Sequence, residues 1–155
     1  MAKATFGAGC FWSPEAAFAD VDGITGTAVG YAGGTVDNPS YEQVCTGTTG
    51  HAEVVQVEYD PEKISYEKLL ALYFDMHDPT QLNRQGPDMG TQYRSVVFAH
   101  DEEQQAAAES AKQALDQAGL YGNPVVTAVE SFRNFFRAEE YHQRFLEKRG
   151  LRGHR

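Results

Sequence analysis

Apolar and polar residues alternate over positions 53–59 (Glu-Val-Val-Gln-Val-Glu-Tyr), the two-residue period of a strand with one buried face. Shorter apolar runs predict strands at 3–8, 24–31, 94–100 and 125–130. Between them the spacing turns helical. Ser65 stands where an N-cap belongs, ahead of an apolar stripe of Leu69, Leu70, Leu72, Tyr73 and Met76. Asp101-Glu102-Glu103-Gln104 has the spacing of a capping box and opens an Ala-rich helix that Gly119 ends. A first helix is expected from Pro14 to about Asp20, with Ser13 as N-cap, Pro14 in the first helical position and Glu15 in the first turn. A last helix is expected over 138–148. No internal repeat interrupts this alternation.

Two polar stretches, 31–52 and 77–93, carry no regular pattern. Structureless loops longer than about 12–15 residues are uncommon in compact domains and usually carry function. These contain Tyr41, His51, Asp88 and Tyr93 among frequent glycines, and are expected to build a site.

Composition narrows the partners. The chain has 155 residues, 41% hydrophobic and 23% charged, which suits one globular unit: a single catalytic domain over 1–148 and a flexible basic tail over 149–155. A net charge of −9 argues against nucleic acid and anionic membrane, since both are polyanions. No run approaches the roughly 20 apolar residues of a membrane span, and the first residues lack a signal-type apolar core. The two cysteines, Cys10 and Cys45, form no CxxC pair. A cytoplasmic, reducing location is the expectation.

The chemistry centres on Cys10, in Gly7-Ala8-Gly9-Cys10-Phe11-Trp12-Ser13-Pro14-Glu15. A thiol just ahead of a helix N-terminus is expected to ionise more readily than an ordinary one, and Phe11 and Trp12 set aromatic faces beside it. Two readings stay open on these residues alone: an activated nucleophile with an apolar pocket, and a small buried hydrophobe. Glu53 opens the clearest strand directly after a glycine-rich turn. A carboxyl among aromatic groups keeps its proton and can donate it, and Tyr41 and Tyr93 can donate to an oxygen. Taken singly, each reads first as an ordinary strand-end acid or half-buried phenol. Other motifs fail. Trp12 occupies the third glycine position of a dinucleotide fingerprint, no P-loop lysine occurs, and the five histidines show no zinc spacing.

Gly9-Cys10-Phe11-Trp12, Gly30-Tyr31-Ala32-Gly33-Gly34, Tyr41-Glu42-Gln43-Val44-Cys45-Thr46-Gly47-Thr48-Thr49-Gly50-His51-Ala52-Glu53, and the run from His77 to Asp88 together resemble the A-type methionine sulfoxide reductases, the peptide-methionine (S)-S-oxide reductases. Gly90-Thr91-Gln92-Tyr93-Arg94-Ser95 and Glu139-Glu140-Tyr141-His142-Gln143 extend the match over almost the whole chain. The resemblance implies an α+β fold, a ferredoxin-like sandwich of a mixed sheet and helices with long loops around the site. It also implies Cys10 as nucleophile, Phe11 and Trp12 as walls for the sulfoxide methyl group, and Glu53 as acid. Tyr41 and Tyr93 would be the hydroxyl partners of Glu53, and Asp88 would orient the substrate backbone. The implied reaction reduces the S epimer of methionine sulfoxide, free or in proteins, through a Cys10 sulfenic acid. No bound cofactor or metal is implied, and a monomer is expected.

Two departures stand out. Ser13 replaces the family's usual glycine, and no cysteine follows Cys45, so the C-terminal resolving thiols of many members are missing. Recycling then falls to an external thiol, thioredoxin or glutathione with glutaredoxin, while Cys45 is expected to be a buried structural thiol. Two other classes remain: a peroxide-reducing thiol protein, indifferent to Phe11, Trp12 and Glu53, and a methionine-peptide binding module, indifferent to Cys10.

Overall fold

The computed structural model describes residues 2–150. The 151–155 part of the expected basic tail lies outside the described residues. The chain runs β1 (Ala2–Ala8), α1 (Trp12–Ala19), β2 (Ile24–Ala32), α2 (Tyr41–Cys45), β3 (Ala52–Tyr59), α3 (Tyr66–Asp75), β4 (Arg84–Gln85) and β5 (Asp88–Met89). It continues with β6 (Ser95–Ala99), α4 (Glu102–Ala118), β7 (Ala128–Ser131), β8 (Phe136–Arg137) and α5 (Phe145–Lys148). Single 3₁₀ turns cover Thr91–Tyr93 and Glu140–His142.

One mixed sheet has the order β7-β6-β1-β3-β2-β8, parallel only between β6 and β7. Its centre, β6-β1-β3-β2 with α1 and α3 as the crossovers, is the ferredoxin-like βαββαβ arrangement, and the class is α+β. Phe6 of β1 sits opposite Val55 on one side and Val97 on the other, which fixes the register at the sheet centre.

Strand alternation sorts the two faces. Phe6, Val29, Val55, Val57 and Val97 face the helices and pack with Phe18, Leu69, Leu70 and Tyr73. Val54, Val96 and Phe98 face the other way, under Phe132 and Phe135. Leu69 and Leu70 are at most 1% exposed, so truncating either to Ala costs about 2–5 kcal/mol. Glu53 continues the row of Val55 and Val57, so the period of β3 aims this acid at the helix side, at the edge where α1 begins.

Several local expectations hold. Ser65 caps α3 by accepting from Lys68 N, and Gly119 ends α4 in the left-handed region at φ 65°. Others are corrected. Phe11, not Ser13, is the N-cap of α1, without a side-chain cap, and Pro14 falls in the third helical position. There its missing N–H is still harmless, because the first turn has free donors anyway. Asp101 caps α4, but Gln104 turns its oxygen to His100 N and its amide to Lys3 O, so the box is only half made. The expected 138–148 helix is a 3₁₀ turn and a four-residue helix, separated by Arg144 at φ 54°. The strand expected at 125–130 is shifted to β7, and the two long loops hold α2 and the β4–β5 hairpin.

Candidate active site

β1 delivers the chain to Gly9, where φ is +85° and a Cβ would stand 2.7 Å from Gln85 Cβ. Only glycine lets the hairpin close over this turn. Cys10 follows, half-buried, and lines a cleft of about 160 Å³ with Met76, His77, Gln85 and Asp88. The hairpin is anchored from its own loop: Gln85 accepts from Asp78 N at 2.9 Å and donates to Asp78 O at 2.9 Å. Gln85 and Asp88 are cross-strand partners, which puts both on the face that meets Cys10.

Glu53 lies behind the thiol, 1% exposed. Its Oε1 accepts from Phe11 N at 3.2 Å, and its Oε2 is buried with no partner. Burial, reinforced by the Asp88 charge and opposed by the Phe11 N–H, raises its pKa to about 8. The acid therefore keeps its proton at neutral pH, as the sequence suggests.

The thiol does the opposite of what was expected. Burial pushes Cys10 up to about 12, with the Glu53 and Asp88 charges adding to the rise. A hydrogen bond to the Trp12 backbone at the start of α1 lowers it, so the helix effect exists and loses to desolvation. In the resting site both proton donors are neutral.

Tyr41 begins α2, held by the complete Ser40–Gln43 capping box. Tyr93 ends the 3₁₀ turn before β6. Burial raises both phenols, with the Glu53 charge contributing to each, and Tyr93 reaches about 12. Both stay protonated as donors. Phe11 is 1% exposed and packs on Tyr31 at 5.8 Å, while Trp12 stacks flat on Phe145 at 3.8 Å. Cys45 is exposed, not buried, and its thiol lies against the hydroxyls of Tyr41 and Tyr93. The structural-thiol expectation fails because α2 ends at the site rim with only Val44 turned into the core.

His51 is a strut. Its Nδ1 accepts from Gly34 N at 3.0 Å and its Nε2 bonds Val36 O at 2.7 Å, tying the 33–36 turn to β3. Residues of the late motif, unassigned in sequence reasoning, frame the site instead. Glu139 accepts from Tyr31 OH at 2.9 Å and from Tyr41 N at 2.8 Å. His142 accepts from the Trp12 indole at 3.1 Å. The likeness of residues 139–143 to the late motif is the available signal, and the burial of His142 and Gln143 shows only in the fold.

A thiol, a protonated buried acid with a free oxygen, two phenol donors and an aromatic pair can protonate a bound oxygen while sulfur attacks the atom that carries it. On a ferredoxin-like frame these groups define a cysteine-based oxidoreductase. The family model described as peptide methionine sulfoxide reductase matches residues 2–154, and the chain belongs to that family. A relative from Methanoculleus marisnigri named peptide methionine sulfoxide reductase MsrA is 59% identical over 150 residues, 97% of this chain and 92% of that protein. The crystal structure of Mxr1 from Saccharomyces cerevisiae in reduced form superposes with a TM-score of 0.90 at 39% identity, covering 96% of this chain and 86% of that one. Mxr1 solved in complex with Trx2 gives a TM-score of 0.67 at 29% identity, with 91% and 83% covered.

Among the described residues no helix is long and apolar enough to cross a membrane, and no three metal-ligating side chains cluster.

Proposed function

We propose that this methionine sulfoxide reductase takes the S epimer, free or in proteins, and reduces it with Cys10 as nucleophile and Glu53 as acid. The observation that carries the reading is the buried, unpartnered Oε2 of a carboxyl that keeps its proton, next to a half-buried thiol. A sulfoxide oxygen is a strong acceptor and a poor leaving group until protonated. Glu53 supplies its proton to that oxygen, Tyr41 and Tyr93 donate hydrogen bonds to it, and Cys10 sulfur attacks the substrate sulfur. The thiol proton returns to the Glu53 carboxylate. The S–O bond breaks, methionine leaves, and the hydroxyl ends on Cys10 as a sulfenic acid. One thiol and one sulfoxide give one sulfenic acid and one thioether. Phe11 and Trp12 face the methyl group, and Asp88 orients the substrate backbone.

An external thiol then reduces the sulfenic acid, either thioredoxin, in keeping with the relative solved with Trx2, or glutathione with glutaredoxin. We place the enzyme in a reducing cytoplasm as a monomer, residues 1–148 forming its catalytic domain.

The test is single turnover with separate S and R epimers. Wild type is expected to yield methionine from S alone, and Cys10→Ser none, because a hydroxyl is far less nucleophilic at neutral pH. Product from Cys10→Ser would end the assignment. Dimedone added after one equivalent of sulfoxide is expected to label Cys10 with Cys45 still reduced. A mass loss of about two units without a label would instead give Cys45 the resolving role.

A further inference from the structure

Residues 139–143 are fastened to three parts of the site. Glu139 holds Tyr31 and the start of α2, and Gln143 both accepts from Val29 N and donates to Val29 O at 2.9 Å. Between them His142 is 1% exposed, its Nδ1 accepting from Trp12 Nε1 at 3.1 Å. That bond sets the tautomer: the lone pair is on Nδ1, so the proton is on Nε2. Nε2 is itself buried without a partner. The ring also meets Phe11 at 5.1 Å, Tyr41 at 4.5 Å and Tyr141 at 4.1 Å.

An apolar ring of similar size would fill this space without burying the unpartnered Nε2, so packing alone does not account for a histidine here. What the histidine adds is one acceptor, aimed at the indole. We propose that His142 is a positioning residue for substrate binding. It fixes the edge of Trp12 so that the indole and Phe11 form a rigid wall for the small group on the substrate sulfur, with the Tyr41 ring braced against the same imidazole. Free to turn, Trp12 would keep its stack on Phe145 but lose its set position toward Cys10. The proposal rests on the Cys10 reading above.

Trp12 is the one tryptophan in the chain, so its indole signals are unambiguous. In uniformly ¹⁵N-labelled wild type, a through-hydrogen-bond coupling is expected between Trp12 Nε1 and His142 Nδ1, with Nδ1 showing the shift of an unprotonated nitrogen. His142→Phe is expected to raise KM for the S sulfoxide roughly three- to tenfold, the weight of one neutral hydrogen bond, with the saturated single-turnover rate within about twofold. The Trp12 emission should shift with it. His142→Asn, whose amide oxygen falls where Nδ1 stands, should return KM and emission toward wild type. Absence of the coupling, a wild-type KM in His142→Phe, or an Asn variant no better than Phe would overturn the proposal. Should His142→Phe not fold, the wild-type coupling and the Asn variant decide. Wild type that shows the coupling but leaves the S epimer unreduced would overturn the reading of the site, and not the bond.

Discussion

Two buried polar clusters flank the end of β1, and they are built on opposite terms. Below the sheet edge, Tyr73 OH donates to Gly7 O at 2.7 Å and meets Ser95 Oγ at 2.9 Å. Ser95 Oγ also contacts Thr127 Oγ1 at 2.7 Å and His77 Nε2 at 2.8 Å, and His77 Nδ1 donates to Tyr73 O at 2.8 Å. Each of these side-chain groups has a partner. Burial holds His77 down to about 4, so it is neutral. Ser95 beside His77 has the spacing of a nucleophile and its base, yet the serine is 4% exposed and committed to its neighbours. On the other side, Glu53 spends one oxygen on Phe11 N and leaves the other empty. The paired cluster supports the fold. In the proposed reaction a substrate oxygen completes the unpaired one, which is kept open at a cost in stability.

The largest expected effect breaks the unpaired side. Glu53→Gln keeps a hydrogen-bond donor but removes the transferable proton, and single-turnover methionine formation should slow roughly 10²–10⁴-fold. The same change should stabilise the protein. A carboxyl raised to about 8 in the folded state binds its proton more tightly than in the unfolded chain, so its stabilising share is complete at low pH and drains away as pH rises through that value. The variant has no such loss. Its advantage in thermal melts should open above about pH 4.5, grow to about pH 8 and then level off. Equal melting curves at pH 8 would place the proton elsewhere.

Tyr41→Phe and Tyr93→Phe come next. Each should slow single turnover less than Glu53→Gln, about tenfold at most, and the double variant should be slower than either. If one phenol alone accounts for the pair's effect, the second contributes nothing to the oxygen.

The smallest effect on rate belongs to the paired side. Tyr73→Phe strips a donor from Gly7 O and a partner from Ser95, costing about 1–3 kcal/mol in denaturant unfolding. Its single-turnover rate should stay within about twofold of wild type. A large rate loss with normal stability would move the lower cluster into the chemistry.

The sequence discloses these two sides unequally. The alternation of β3 puts Glu53 on one face with Val55 and Val57, though only the fold shows that this face meets the helices, and the Ser65 cap and Gly119 stop are local signals that hold. Cys10 shows where local reasoning ends. Its helix start is legible, but its ionisation is ruled by burial and by carboxylates that arrive from β3 and the β4–β5 hairpin. The late segment shows the same limit. Residues 138–148 have helical propensity, yet Ala138 N is claimed by Val29 O and Arg144 N by Glu15 Oε1, partners more than a hundred residues away. Those bonds hold the backbone out of a continuous helix and bring Glu139 and His142 to the site. Strands of two residues, as in the hairpin, leave no periodicity to read.

In the proposed reaction a protonated Glu53 drives oxygen removal by Cys10. The most direct test is the single-turnover rate of methionine formation from the S epimer, measured against pH in wild type and in Glu53→Gln. The wild-type rate is expected to fall as pH rises through about 8, where Glu53 loses its proton, with no such fall in the slow variant. A wild-type rate that is flat or rising through pH 8, or the same fall retained in Glu53→Gln, would contradict it.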